Sequence, residues 1–413
     1  MCRTHVSYVI ARRECVAPTR NPVSTLATPS RGEQLDQFLG TAIEQLDISP
    51  ADNKLALGYY RDLGTFLADH WVDCAAGGCV YPQGSMRLGT VTRIIHRNDE
   101  YDLDAVCRRD LAKTSTSQAG LKEEVGDALD LFVKSEPDGL PWRDEGKRCW
   151  TLHYPGQLFH LDILPSLPDP DEEPNGIILT DTTLRNWQYS NPIDYADWFY
   201  LRMKAEWELR RAVFAESKGM DVAAVPQWAV KTTLQRSVQA LKRHRDIFFA
   251  DNLEDRTASI IVTTLATKAY RGQGGLYEVL RDVVGKMPEL VKYENGVYAV
   301  YNPVQPEENF ADRWQKHPRR AERFFEWMAQ AKADFAQVGR DLGLDRIHDA
   351  AAKALGERPA RRAADTTGSD LFKSREAGRL GMLATTGTLA VDAGRTAGEH
   401  TFHGDHHPTT ARP

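Results

Sequence analysis

The chain has 413 residues, 41% hydrophobic and 27% charged, with a net charge of −6 and a pI near 6.1. This is ordinary globular composition with room for two or three domains. It argues against a general nucleic-acid coat while leaving space for a local basic groove that takes triphosphates. No apolar run approaches the roughly 18 residues of a membrane span, so no membrane partner is expected. The six cysteines, Cys2, Cys15, Cys74, Cys79, Cys107 and Cys149, are scattered without metal-ligand spacing and read as reduced thiols of a cytoplasmic protein.

Residues 1–32 lack periodicity. Their arginines, with several Ser, Thr and Pro and few acids, have the composition of a transit peptide, but they are read as a disordered leader. Apolar residues then recur at helical spacing from Gln34 to about Leu46 and from Asp52 to about Val72, with Ser49-Pro50 as the break. Next come a short strand leading to Tyr81, a small-residue loop over Gln83–Thr90, and a helix expected from Met86 to Ile95. A strand around Asp102 and Asp104, a helix from about Gln118 to Val133, and strands over Arg148–His153 and Leu158–Leu164 follow, closed by the acidic turn Asp169–Pro174. Helices are expected over about Pro192–Ala215, Val230–Phe249, Thr257–Tyr270, Leu276–Leu290 and Arg319–Leu342, with a short strand at Val297–Tyr301. The expected organisation is α+β: a leader (1–32), a mixed-sheet core with N-terminal helices (33–185), a helical lobe closing a central cleft (186–356) and a flexible tail (357–413).

Chemistry concentrates in the sheet region. In Tyr101-Asp102-Leu103-Asp104-Ala105-Val106, the two aspartates alternate and project from one face of a strand while Leu103 and Ala105 face the other way. Like charges side by side on a mostly apolar strand repel unless a cation sits between them. A third acid, Asp162, lies on another apolar run, Phe159-His160-Leu161-Asp162-Ile163-Leu164-Pro165. Three such carboxylates suit two Mg²⁺ ions, with Mn²⁺ as a substitute, that also bind phosphate oxygens. Asp102 and Asp104 are expected to hold both ions. Asp162 holds the catalytic one and helps deprotonate an attacking hydroxyl. Gly84 lets backbone approach phosphate and Ser85 can donate to it.

On the helix beginning near Val230, Lys231, Gln235, Lys242 and Asp246 form a stripe that could line a cleft, with Lys242 reaching a triphosphate. Ser259, near the start of the next helix, could donate to the same phosphates or be a plain first-turn serine. The histidines His400, His403, His406 and His407 lack a scaffold and are read as tail. The aromatics Trp187, Tyr189, Tyr195, Trp198, Phe199 and Tyr200 are read as packing, with one of them free to stack on a base.

Tyr81–Thr90, Tyr101–Val106 and Phe159–Pro165 together resemble the polymerase-β-like nucleotidyltransferases, and more narrowly the cGAS/DncV-like nucleotidyltransferases of bacterial CBASS anti-phage systems. Ser190–Arg202, Leu234–Phe248, Ala258–Tyr270 and Asn302–Trp314 are similar to further segments of that family, in order, so the resemblance covers about residues 35–340. It implies a two-lobed, Mg²⁺-dependent enzyme that joins nucleoside triphosphates, ATP among them, into a cyclic di- or trinucleotide with release of pyrophosphate. No DNA or RNA template is implied, and CBASS accessory proteins are possible partners. By position, Gln83, Gly84 and Ser85 would contact the donor triphosphate, Asp102, Asp104 and Asp162 would bind metal, and Lys242 and Ser259 would contact phosphate. Some relatives are conjugated through a C-terminal glycine. Here His400–Gly404 resembles that ending but is followed by further residues. Two alternatives stay open: transfer to an RNA 3′ end or a protein hydroxyl, against which the net acidity weighs, and a silent nucleotide-binding scaffold, against which the presence of all three acids weighs.

Overall fold

The structure, a computed structural model, describes residues 30–391 apart from 75–77, 96–99, 138–140, 157, 182–186, 341–343 and 383–388. Residues 1–29, Cys2, Cys15, the four C-terminal histidines and Gly404 lie outside the described residues, whereas residues 30–32, expected as the end of a disordered leader, are the cap and first turn of a helix. Two helices open the chain. α1 (Arg31–Glu44) starts at a reciprocal Ser30/Glu33 capping box, and α2 (Pro50–His70) starts at Ser49 with proline in its first turn. The sheet region follows: β1 (Val80–Pro82), α3 (Gly84–Leu88), β2 (Tyr101–Arg108), α4 (Gln118–Ser135), β3 (Trp142–Glu145), β4 (Trp150–His153), β5 (Phe159–Pro168), β6 (Ile177–Leu179) and β7 (Gln188–Ser190). Then come α5 (Pro192–Lys218), α6 (Thr233–Phe248), α7 (Ser259–Ala269), α8 (Leu276–Lys286), the hairpin β8 (Lys292–Glu294) and β9 (Val297–Ala299), α9 (Asp312–Lys316), α10 (Arg319–Val338), α11 (Leu344–Leu355) and α12 (Glu357–Glu376). β10 (Leu380–Met382) and β11 (Leu389–Val391) pair antiparallel with each other.

The sheet runs β1-β2-β5-β4-β3, and only β2 and β5 are parallel within it. The first half of the long strand β5 pairs with β4 and its second half with β6, which carries β7. Alternation decides what each face does. Leu103, Ala105 and Cys107 of β2 and Phe159, Leu161 and Ile163 of β5 are fully buried, in one core with Tyr60, Leu63 and Leu67 of α2 and Leu121, Val125 and Leu129 of α4. The intervening residues, Asp102 and Asp104 on β2 and His160 and Asp162 on β5, fall on the opposite face. A second core gathers the later helices around Phe199, Phe249, Phe324, Trp327 and Phe335, and it includes Leu39 and Ile43 of α1. The first helix thus packs with the helical region, although the sequence places it with the sheet.

Within that second core a polar network ties three helices together. The Trp327 indole donates to His244 Nδ1 (3.0 Å), His244 Nε2 faces Asp334 Oδ2 (3.1 Å), and Lys353 meets Asp334 Oδ1 (2.7 Å). α6 is thereby fixed to α10 and α11, and its other face is left to meet the sheet region.

Three expectations need correction. The helix expected to reach Ile95 stops at Leu88, because Gly89 takes the left-handed conformation that ends helices (φ +66°). The segment read as a flexible tail forms α12 over Glu357–Glu376. Its hydrophobicity is low, but Ala360 and Ala363 are fully buried at helical spacing, and Pro359 sits in the first turn where it removes no helical hydrogen bond. Cys74 and Cys79 are paired as a disulfide, with Cα atoms 4.8 Å apart, while Cys107 and Cys149 are free. A sequence separation of five told nothing of that approach.

One contact joins the sheet to the helical region and titrates. The Glu308 carboxylate accepts from Asn302 Nδ2 (2.7 Å) and from Ser190 Oγ on β7 (3.3 Å). Burial pushes its pKa up to about 7, against the hydrogen bonds from Asn302 and Ser190 and the nearby Arg148. A carboxyl raised on folding binds more protons in the native state than in the unfolded one, so its contribution to stability falls as pH rises from about 4.5 to 7. Urea unfolding of Glu308→Gln against wild type is expected to show a stability difference that shifts in the variant's favour by on the order of 2–3 kcal/mol across that interval. A difference independent of pH would contradict this account of Glu308.

Candidate active site

The register across four strands builds two rows on the polar face of the sheet. In one, Asp104 of β2 stands opposite Asp162 of β5, Thr151 of β4 and Asp144 of β3. In the other, Asp102 stands opposite His160, His153 and Trp142. Adjacent strands lie about 4.8 Å apart, so Asp104 and Asp162 are immediate neighbours and Asp102 is one pleat away. Thr151 Oγ1 donates to Asp162 Oδ1 (2.5 Å) and fixes that carboxylate. His160 Nε2 meets Asp102 Oδ1 (3.0 Å) and its Nδ1 meets Glu100 Oε2 (3.0 Å).

The small-residue loop closes over Asp104. The Gln83 N–H donates to the Asp104 carbonyl (2.9 Å), and the Tyr60 hydroxyl donates to the same oxygen (3.2 Å). Gly84, the first residue of α3, is left-handed (φ +58°) and lies so close that a Cβ there would meet Asp104 Cγ at 3.1 Å and run into Oδ2. Ser85 follows in the same turn, and its carbonyl accepts from Thr90 N–H (2.9 Å), which folds the loop back on itself.

The electrostatics record the crowding. The Asp104 pKa is raised to about 7, first by burial and then by the charges of Asp102 and Asp162, with Lys242 and His160 opposing. The Asp102 side chain is largely open to water. Desolvation pushes its pKa up, but the hydrogen bond and charge of His160, with Arg256 and Arg245, bring it below the usual range. His160 is raised to about 9, first by its hydrogen bond to Asp102, against desolvation, and further by Glu100 and Asp162.

The structure brings Gln83, Gly84, Asp102, Asp104 and Asp162 together, with Ser85 beside them. It changes the reading of the α6 stripe. Lys242 is buried, 4% exposed, and its ammonium donates to the Thr90 carbonyl and hydroxyl (both 3.2 Å) instead of facing an open cleft. Burial and the neighbouring Arg245 lower its pKa to about 7. Gln235 donates to the Leu88 carbonyl (2.9 Å) and Lys231 to the Gly89 carbonyl (2.7 Å). The stripe therefore braces the loop after α3. Periodicity identified the face but not what covers it. Ser259 is exposed at the start of α7, where its hydroxyl accepts from Arg245 Nη1 (2.7 Å). Tyr195 and Phe199 are packing residues, as expected, and the Tyr200 hydroxyl donates to the Arg87 carbonyl (2.7 Å).

Four residues escaped the sequence reading. His160 shares its face with Asp162 by the same alternation that grouped Asp102 with Asp104, so the signal was present. Thr151 required the β4–β5 register. Arg245 and Arg256, the cations whose charges act on Asp102, look like ordinary surface arginines in sequence.

Three carboxylates offer oxygen donors of the kind Mg²⁺ and Mn²⁺ prefer, and a cation among them would cancel the repulsion that raises Asp104. Among the described residues no three side chains already form a preset metal cage, since Asp102 is turned to His160 and Asp162 to Thr151. By donor type and charge the residues fit divalent ions.

No family model matches the chain. A c-di-GMP synthase of Roseivirga ehrenbergii is 28% identical over 334 residues, covering 79% of this chain and 85% of the relative. The cyclic dinucleotide synthase CdnG of Bradyrhizobium diazoefficiens is 28% identical over 256 residues, 57% of this chain and 59% of CdnG. Among solved structures, that CdnG in complex with GTP superposes with a TM-score of 0.64 at 23% identity, covering 81% of this chain and 99% of CdnG. CdnC of E. coli MS115-1 with ATP superposes with a TM-score of 0.57 at 14% identity, covering 78% of this chain and 96% of CdnC.

Proposed function

The chain is a cGAS/DncV-like nucleotidyltransferase, and we propose that it condenses nucleoside triphosphates, without a template, into a cyclic di- or trinucleotide second messenger for anti-phage defence. The observation that carries this reading is the pairing of Asp104 with Asp162 on neighbouring parallel strands, with Asp102 on the same face and the Gly84 backbone against them. In each round a ribose hydroxyl oxygen bonds to the α-phosphorus of a second triphosphate, the bond to the pyrophosphate oxygen breaks, and pyrophosphate leaves. The last round is intramolecular, again releasing pyrophosphate, and closes the ring.

Asp102, Asp104 and Asp162 would hold two divalent ions. When bound, these polarise the α-phosphate and make the attacking hydroxyl more acidic. Asp162, fixed by Thr151, takes up the hydroxyl proton. Gln83 by its side-chain amide, Gly84 by its backbone and Ser85 by its hydroxyl would donate to the triphosphate. Arg245 and Arg256 supply positive charge from the helical side, and Ser259 adds a hydroxyl donor beside Arg245. Lys242 acts by holding Thr90 and by opposing the charge of Asp104, which keeps the loop seated.

The c-di-GMP named in the Roseivirga relative, and the GTP in one solved structure, make GTP the first triphosphate to test, ahead of the ATP expected from sequence. CdnC of E. coli is solved with a HORMA protein, and an accessory partner of this chain is the corresponding proposal. No helix among the described residues is long and apolar enough to cross a membrane.

Incubation with α-labelled GTP, ATP, or both, and Mg²⁺ or Mn²⁺ is expected to give small products resistant to phosphatase. Label appearing instead in added tRNA or protein would favour the alternative acceptors. Tight triphosphate binding without turnover in either metal would favour a silent scaffold.

A further inference from the structure

Asp102 is the most exposed of the three acids, with 72% of its side chain open, and its close ion-pair partner is His160. His160 is itself held on every side. Its register partner on β5's other edge is His153, whose ring centroid lies 5.8 Å away, and His153 stacks on Trp142 at 4.0 Å. Its Nδ1 is engaged by Glu100 Oε2 at 3.0 Å, and its Nε2 points at Asp102 Oδ1 at 3.0 Å. Both ring nitrogens lie within hydrogen-bond distance of carboxylate oxygens, which can only accept, so an N–H on Nε2 donates to Asp102.

A solvent-exposed aspartate with no partner rotates freely, and ordering it on a ligand costs side-chain entropy. A hydrogen bond to one of its oxygens fixes its plane and leaves the second oxygen to face the cleft. Outer partners of this kind orient metal-ligating carboxylates and carry much of a site's affinity.

We propose that His160 is a positioning residue: by donating from Nε2 to Asp102 Oδ1, and itself braced by Glu100 and the His153–Trp142 stack, it pre-orders Asp102 for a divalent cation. This rests on the reading of Asp102 as a metal ligand.

Two polar substitutions separate the hydrogen bond from the ring. A glutamine amide nitrogen reaches the place of Nε2, whereas an asparagine amide nitrogen reaches only the place of Nδ1. Mn²⁺ binding, followed by electron paramagnetic resonance on the full chain without nucleotide, is the readout. Thermal melting confirms that each variant is folded. His160→Asn is expected to weaken Mn²⁺ binding by about 10- to 100-fold. His160→Gln should stay within about threefold of wild type, since it restores the one donor that matters. In an Asp102→Asn background the Asn substitution should cost nothing further, because the group it orders is gone.

Wild-type affinity in His160→Asn would overturn the proposal. So would equal losses in His160→Gln and His160→Asn, which would assign the effect to the imidazole itself, or an undiminished loss in the Asp102→Asn background. Absence of Mn²⁺ binding by the wild-type chain would remove the metal reading first and this inference with it.

Discussion

Asp104→Asn is expected to abolish product formation, by roughly a thousandfold or more, on the order of 4 kcal/mol of transition-state stabilisation, while the metal-free protein becomes more stable above neutral pH. The two effects have one cause. Asp104 sits between Asp102 and Asp162, and burial with these two like charges raises its pKa to about 7. A raised carboxyl favours the fold while it stays protonated and disfavours it as pH climbs through about 7. Asparagine keeps the shape and discards the charge. The variant should therefore melt above wild type at pH 8 without metal, with the gap shrinking toward pH 5. Added Mg²⁺ should stabilise wild type and not the variant. Destabilisation of the metal-free variant at pH 8, or retained synthesis, would show that Asp104 plays another part.

Gly84→Ala is the second large effect. The left-handed backbone (φ +58°) costs any L-residue on the order of 1 kcal/mol, a cost shared by Gly219, the cap of α5 (φ +61°), where a Cβ meets nothing within 4 Å. Only at Gly84 does the added methyl strike a site residue. Asp104 Cγ would lie 3.1 Å from the new Cβ, with Oδ2 closer still, so either the carboxylate turns or α3 lifts off β2. A misplacement of about 1 Å in a phosphoryl-transfer site costs about a hundredfold. Gly84→Ala should lose at least that in kcat while falling in stability by only about 1–3 kcal/mol. Gly219→Ala should share the smaller stability loss and keep full activity. Equal activity in the two variants would mean that the α3 loop does not need to press against Asp104.

What the sequence made legible, and what it did not, follows the range of each interaction. The alternation Leu103, Asp104, Ala105 and Leu161, Asp162, Ile163 fixes two faces of two strands by local geometry alone, and the structure sets those strands side by side. The starts at Ser49-Pro50 and Asn191-Pro192 likewise read locally, and Ser49 and Asn191 cap the two helices. The failures are contacts between distant segments. The helical periodicity of α6 shows a polar stripe, but whether water or the Leu88–Thr90 loop covers it depends on a pairing across some 150 residues, and the loop wins. α12 hides because alanine is a weak hydrophobic signal, although Ala360 and Ala363 are fully buried. Arg245 and Arg256 become part of the site only once α6 and the loop before α7 face the sheet.

The most direct test of the central claim is the anomalous scattering of Mn²⁺ in crystals grown with a non-hydrolysable GTP analogue. The account predicts manganese bound directly to carboxylate oxygens of Asp104 and Asp162, with Asp102 completing the set and the triphosphate joined to the same ions. An ordered triphosphate whose metal lies away from these three aspartates would contradict it.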